Sequence, residues 1–305
     1  MDVGPVAALG IFDGVHLGHQ KILEQTVLRA RQLKTEALVL TFHPHPQVVL
    51  GGEGPKLITT LEDRQALIRG CGIHRVLVES FTPSFAQLTP EEFFTEVIVG
   101  KLQVREIVVG YDYTFGQGGA GNVETLRTLG QAQGIQVHRV SPVEIAGRKV
   151  SSTLIRELVT QGQVEKARIL LGRPFFLRGK VIHGEGLARQ WRVPTANLAV
   201  SEEILWPMDG VYLATAEMSA EGELPAIVSI GTKPTFDGRE RVIEVHILDR
   251  QWDLYDNQLT VFFHRFVRPQ RRFGSEAELF AQVHRDIAEA RIFFATPSKV
   301  ECTGE

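Results

Sequence analysis

The sequence has little cysteine: Cys71 and Cys302 are the only two in 305 residues. They are far apart, and Cys302 lies in a polar tail. That spacing argues against a disulfide framework and favours a reducing compartment. Long apolar runs are missing too. No uninterrupted stretch of about 18 apolar residues occurs, so no transmembrane helix is expected. Residues 1–9 contain an acid and no Lys or Arg, so they do not read as a signal peptide. An excess of one charge is also absent: 33 basic residues stand against 36 acidic ones. The balance is equally close in each half, so neither half has the electrostatic footprint of a nucleic-acid-binding module. Repeats and low-complexity segments are lacking, apart from the polar tail. These absences leave a soluble, cytoplasmic protein with no nucleic-acid or membrane partner. Any phosphate it handles must be met by local groups.

What is present is ordinary globular composition, 43% hydrophobic and 23% charged. The length suggests about two domains, at roughly 100–200 residues each. Glycine stands out: 29 residues, clustered at 110–121 and 184–186, where tight turns or close ligand approach are expected. In the first half, short apolar runs alternate with amphipathic ones. Strands are expected near 6–10, 37–42, 76–79, 106–109 and 136–140, and helices near 18–33, 61–69, 90–99 and 123–133. That alternation predicts βαβ units and a parallel sheet. Residues 152–171 form a helix-rich bridge interrupted by Gly162. Beyond Gly172, β-branched and aromatic runs at 175–178, 180–183, 211–216, 226–230, 242–248 and 259–266 are separated by turn clusters. They predict an antiparallel β-domain, a barrel. A helix over 275–294 closes it, started by the capping-box pair Ser275 and Glu278.

Four clusters in the first half carry chemistry. The first is Gly10-Ile-Phe12-Asp13-Gly-Val-His16-Leu-Gly18-His19, between a strand and a helix. Two imidazoles three apart share one face of the first helical turn. The helix start adds N–H groups and a positive dipole end, and Gly18 permits close approach, which makes an anion site suited to a triphosphate. Two solvent-facing histidines are the bland alternative, and zinc is a rival that lacks both HExxH and a nearby cysteine. The second is Thr41-Phe-His43-Pro44-His45-Pro46 at the C-terminal end of a strand, where ligands of open α/β sheets bind. The third runs from Gly110 through Asp112, Gly116, Gly118 and Gly121 to Asn122. Its literal GxGxxG, with Glu144 beyond, imitates a dinucleotide fingerprint. Its strand ends near Val109, too far upstream, so a loop that contacts a flavin or nucleotide is expected instead. The fourth is Ser151-Ser152-Thr153-Leu-Ile-Arg156, either a helix cap or a set of phosphate-holding groups.

Together, HxGH and SSTxIR resemble the nucleotidylyltransferase superfamily, and in particular the flavin adenylyltransferase module of bacterial riboflavin biosynthesis. The second half supplies an independent match. Gly184-Glu-Gly186-Leu-Ala-Arg189-Gln-Trp-Arg-Val-Pro194-Thr195-Ala-Asn197 joins a glycine turn to two hard oxygen ligands suited to Mg²⁺. Glu244, on an expected strand, could take the proton of an attacking hydroxyl. Out of context these are an ordinary turn and an ordinary exposed carboxylate. With the runs around Ser229–Phe236, Leu254-Tyr255, Phe266-Val-Arg268 and Arg272-Phe273, they resemble riboflavin kinase. The chain from about Val6 to Phe293 is thus similar to the prokaryotic bifunctional riboflavin kinase/FAD synthetases.

The resemblance implies a Rossmann-like adenylyltransferase domain over 1–157, a helical linker over 158–172, a kinase barrel with a terminal helix over 173–300, and a tail over 301–305. It implies ATP, riboflavin and FMN as substrates, and Mg²⁺ or another divalent cation as cofactor. His16 and His19 would stabilise the triphosphate. Gly10, Phe12, Asp13, Gly18, His45, Asp112, Gly116, Ser152, Thr153 and Arg156 would line the nucleotide and flavin sites of the first domain. Gly184, Gly186, Arg189 and Arg268 would do so in the second, with Thr195 and Asn197 on the metal and Glu244 as base. The chain departs from the family at Leu187, Ala188 and Arg192, where an arginine and two glycines are usual. Gly119 and Ala120 stand where basic residues are common. Two alternatives follow: FAD synthetase activity alone with an impaired barrel, or a non-catalytic flavin-binding regulator.

Overall fold

The computed structural model describes residues 4–182, 195–218, 222–235, 238–249 and 256–295. The chain divides into two compact units: Met1–Arg156 with Leu170–Gly172, and Glu157–Ile169 with Arg173–Glu305.

In the first unit, β1 (Val6–Leu9) leads into α1 (Leu17–Leu33), β2 (Ala37–His43), the short α2 (Pro46–Val49), α3 (Leu61–Gly70) and β3 (Arg75–Ser80). Then come α4 (Pro90–Glu92), running on as a π-helical stretch Phe93–Leu102, and β4 (Glu106–Gly110). The small pair β5 (Thr114–Phe115) and β6 (Gly121–Asn122) precedes α5 (Val123–Ala132), β7 (Gln136–Val140) and the pair β8 (Glu144–Ile145) and β9 (Arg148–Lys149). Five strands form one parallel sheet in the order β3-β2-β1-β4-β7. Its three central strands, β2, β1 and β4, are buried on both faces. Ala7, Leu9, Leu38 and Leu40 enter one apolar cluster, and Val6, Ala8, Ala37 and Val39 enter the other. That is why Ala37–Phe42 reads as a continuous apolar run, as a helix-covered parallel strand must. The GxGxxG run is a hairpin excursion between β4 and α5. Gly116 sits at φ +73°, and a Cβ there would stand 2.7 Å from the Pro90 nitrogen, so no other residue fits.

α6 (Ser152–Thr160) and α7 (Val164–Leu171) follow, broken at Gly162 as the sequence suggests. The second unit is a closed barrel in the order β10-β11-β14-β13-β12-β15, followed by α8 (Glu276–Ala295). Its strands are β10 (Phe175–Ile182), β11 (Ala196–Ala199), β12 (Gly210–Met218), β13 (Gly222–Thr235), β14 (Gly238–Ile247) and β15 (Gln258–Arg268). Every pairing is antiparallel. β10 alternates buried and exposed residues along its length, the mark of a strand with one face inside. β12 is buried on both faces over most of its length, because α8 covers its outer side. Val211, Leu213, Ile227 and Leu248 pack there on Ile287 and Ala290. The α/β unit, the antiparallel barrel and the terminal helix are the architecture read from the sequence. Two details differ: the runs 175–178 and 180–183 are a single strand as far as the described residues go, and β11 stands where only a turn was read.

Candidate active sites

The loop Gly10–His16 joins β1 to α1 at the C-terminal edge of the sheet. Its backbone is unusual: Phe12 and Val15 have φ of +56° and +40°, and Gly14 +79°. Left-handed backbone at a bulky residue costs of order 1–3 kcal/mol. Both side chains are 1% exposed, and full burial of such a residue contributes roughly 1.5–3 kcal/mol. The two burials offset the strain and hold the loop in one shape.

That shape presents two stacked imidazoles. His16 is the N-cap of α1, and its Nδ1 accepts from the His19 backbone N–H at 3.2 Å. The His16 and His19 rings stack 3.6 Å apart, 15° from parallel, with Phe12 edge-on to His19. A Cβ at Gly18 would press on the His16 ring, 3.1 Å from Cε1. Because His16 Nδ1 is an acceptor, the proton of its neutral form is on Nε2. His19 Nδ1 is buried with no hydrogen-bond partner among the described residues. A buried N–H without an acceptor is rarer than an unpaired acceptor, so the His19 proton also belongs on Nε2. The His19 pKa is held well below its usual value, first by burial and then by His16, Arg64 and Arg156. His19 is therefore held as a neutral donor, stacked on His16 at a helix N-terminus.

Beneath them lies a carboxylate, Asp13, 2% exposed. It accepts from the backbone N–H groups of Ile58 and Thr59 and from the Thr59 hydroxyl. Arg156 Nη2 meets it at 2.6 Å, while Arg156 Nε donates to the Lys56 carbonyl. The Ser152 hydroxyl donates to the Asp13 carbonyl at 2.9 Å. The cap of α6 is the neighbouring Ser151, whose Oγ accepts from Leu154 N–H, and Thr153 is exposed. The two distant motifs thus meet at Asp13, across 139–143 residues of chain. His45 caps α2 by accepting from Gln47 N–H; burial and then Arg156 lower its pKa. Gly10 lies against Phe12, with room for a Cβ only at 3.1 Å. Asp112 is exposed and neighbours Tyr111, whose pKa burial and then the Asp112 charge push up. Lys149 Nζ lies 5.0 Å from the centre of the Tyr111 ring. Arg64 and the Ile58–Thr59 segment are parts of this site that sequence reasoning missed.

On the barrel, register does the assembling. Asn197 on β11 is directly opposite Glu244 on β14, which in turn is opposite Ser229 on β13. Opposed residues of antiparallel strands share a face. Their neighbours Ala196, Leu198, Ile243, Val245, Val228 and Ile230 are buried, so the three polar residues form a row on the outer side. Asn197 Oδ1 is buried and has no hydrogen-bond partner among the described residues. Gln270 Nε2 donates to Ser229 Oγ at 2.8 Å. Thr195 is half-buried just before β11. Arg268 is paired with the buried Asp286 of α8 at 2.7 Å. Gly184, Gly186 and Arg189 lie outside the described residues, as do Leu187, Ala188 and Arg192.

Comparison with known proteins finds a match for each half of the chain. A family model described as FAD synthetase matches residues 2–154, and one described as riboflavin kinase matches residues 171–294. A bifunctional riboflavin kinase/FMN adenylyltransferase of Listeria monocytogenes is 38% identical over 96% of this chain and 94% of its own. The protein of the same description from Escherichia coli K12 is 34% identical over 95% of this chain and 93% of its own. Among solved structures, one described as a macrolide-efflux protein from Streptococcus pneumoniae is 33% identical, covers 95% of both chains and superposes with a TM-score of 0.87. No helix among the described residues of the present chain is long and apolar enough to cross a membrane.

Proposed function

The chain belongs to the bifunctional riboflavin kinase/FMN adenylyltransferases, and from that premise we propose how its residues divide the work. It phosphorylates riboflavin with ATP to give FMN, and it joins FMN to the adenylyl group of ATP to give FAD and pyrophosphate. With both family models matched, synthetase activity alone is the weaker reading. The observation that carries the proposal is that each unit holds its own phosphate-handling constellation: the stacked His16–His19 pair in one, the Asn197–Glu244 row in the other.

In adenylyl transfer, an FMN phosphate oxygen attacks the α-phosphorus of ATP, and the bond from that phosphorus to the pyrophosphate oxygen breaks. No side-chain nucleophile is required; positioning and charge stabilisation carry the step. The Nε2–H groups of His16 and His19 donate to the triphosphate as charge moves onto the leaving pyrophosphate. The N-terminus of α1 adds its dipole. Asp13 keeps Arg156 and Ser152 at the base of the loop, so these residues shape the phosphate site as well as lining it. His45, Asp112, Thr153 and the Gly116 loop complete the nucleotide and flavin contacts.

In the kinase reaction, Glu244 takes the proton of the riboflavin 5′-hydroxyl as that oxygen attacks the γ-phosphorus and ADP leaves. The donor set suits a hard cation. Asn197 Oδ1 is a buried acceptor with no donor among the described residues, and Thr195 stands two residues away. These two would hold Mg²⁺ jointly with ATP phosphates. When bound, that ion neutralises phosphate charge during transfer. Two cysteines and a near-neutral charge support a cytoplasmic location. The test is to incubate the purified protein with MgATP and either riboflavin or FMN, then resolve the flavins chromatographically. FMN from riboflavin and FAD from FMN are both expected; binding without either product would sink the reading.

A further inference from the structure

Directly under the histidine loops lies a guanidinium that the chemistry above does not use. Arg64, in the second turn of α3, is 2% exposed. Its Nη1 donates to the Ile11 carbonyl at 3.0 Å and its Nη2 to the Phe42 carbonyl at 3.2 Å. Ile11 belongs to the loop that carries His16. Phe42 is near the end of β2, three residues before His45. The Thr41 hydroxyl also donates to the Ile11 carbonyl, so this oxygen is held from two sides. Arg64 Nε is buried with no hydrogen-bond partner among the described residues.

A buried permanent cation is a costly way to bridge two carbonyls. The anion that acts on Arg64 is Asp13, and Asp13 already holds Arg156. Arg156 is paired with Asp13, while Arg64 lies buried in the field of the same carboxylate and bonds two carbonyls instead, so two guanidinium groups stand against that one carboxylate beneath the two imidazoles. That excess of positive charge opposes folding, but it favours an arriving triphosphate. The planar fork also matters: a lysine ammonium is a point charge and cannot span both carbonyls with fixed geometry.

We propose that Arg64 is a positioning residue of adenylyl transfer, tying the His16–His19 loop to the His45 loop and supplying fixed positive charge beneath them. The proposal rests on the reading of the His16–His19 site given above. Its test uses the full-length protein with R64K, R64Q and H19A. The readouts are kcat and KM for ATP in FAD formation, riboflavin phosphorylation by the same preparation, and the folded fraction from hydrogen exchange in β1 and α1. R64K should lose about 10–100-fold in kcat per folded molecule with little change in KM, as a displaced reacting group does. R64Q should lose more, and both should phosphorylate riboflavin normally. Parental kcat in either variant overturns the proposal, as does a loss fully explained by a smaller folded fraction. If H19A still makes FAD at the parental rate, it is the site reading that fails, whatever Arg64 does.

Discussion

The two units solve one problem, holding phosphate, by opposite means. In the α/β unit the groups that would touch substrate lie on loops at strand ends and on the first turns of helices, and one contiguous run, Gly10–His19, carries half of them. Their geometry is enforced by strained backbone, a helix cap and a buried carboxylate. In the barrel the corresponding groups lie on strands far apart in sequence. They come together because the register puts Asn197, Glu244 and Ser229 opposite one another. A loop site is specified by local conformation, whereas a strand site is specified by the whole sheet. Damage to the first should therefore be local, and slippage of the second should disable it as a whole.

The contrast can be broken by experiment. The largest effect is expected from Glu244→Gln: removing a general base should cut riboflavin phosphorylation by roughly 10²–10⁴-fold, with FAD formation from supplied FMN unchanged. His19→Ala should do the reverse. Loss of one preorganised donor should lower adenylylation by roughly 10²–10³-fold and spare phosphorylation. A folded variant of either kind that lost both activities would refute the assignment of separate sites. Asn197→Ala should raise the Mg²⁺ concentration needed for half-maximal phosphorylation by roughly 10–100-fold, measured by titrating the metal at fixed ATP. The adenylylation reaction should show no such shift.

The smallest effect concerns acid. The pKa values of His19 and His45 are lowered in the folded protein, mainly by burial. Below about 6.5 the unfolded chain takes up protons on these rings that the native state refuses. The unfolded state then binds more protons, so stability is full above that pH and falls as the pH drops through it. Denaturant midpoints measured between pH 7.5 and 5.5 should decline for the parent, and less steeply for His19→Gln.

Much of the fold was legible in the sequence. The run Ala37–Phe42 announced a strand buried on both faces, and the HxGH turn sits where the β1–α1 junction was read. β11 was hidden because Thr195-Ala-Asn197 reads as a turn and the strand is only four residues long. The barrel row could not be read, since register depends on partners that no local pattern names. In the first site, Asp13 was visible but its partners were not: Arg156 is 143 residues away. Arg64 fell within a run, 61–69, that was read only as a helix. The available signal was its spacing of four from Ile68, which is fully buried, so that both share the inward face.

On the reading proposed above, His16 has two jobs, and they pull against each other. As the cap of α1 it occupies a position where Asn, Asp, Ser or Thr would serve a helix better. Those shorter side chains would leave no imidazole to face the triphosphate. Anyone engineering a hardier version of this enzyme by improving its helix caps would find His16 an obvious place to begin, and should obtain a tougher protein that makes FAD roughly 10²–10³-fold more slowly.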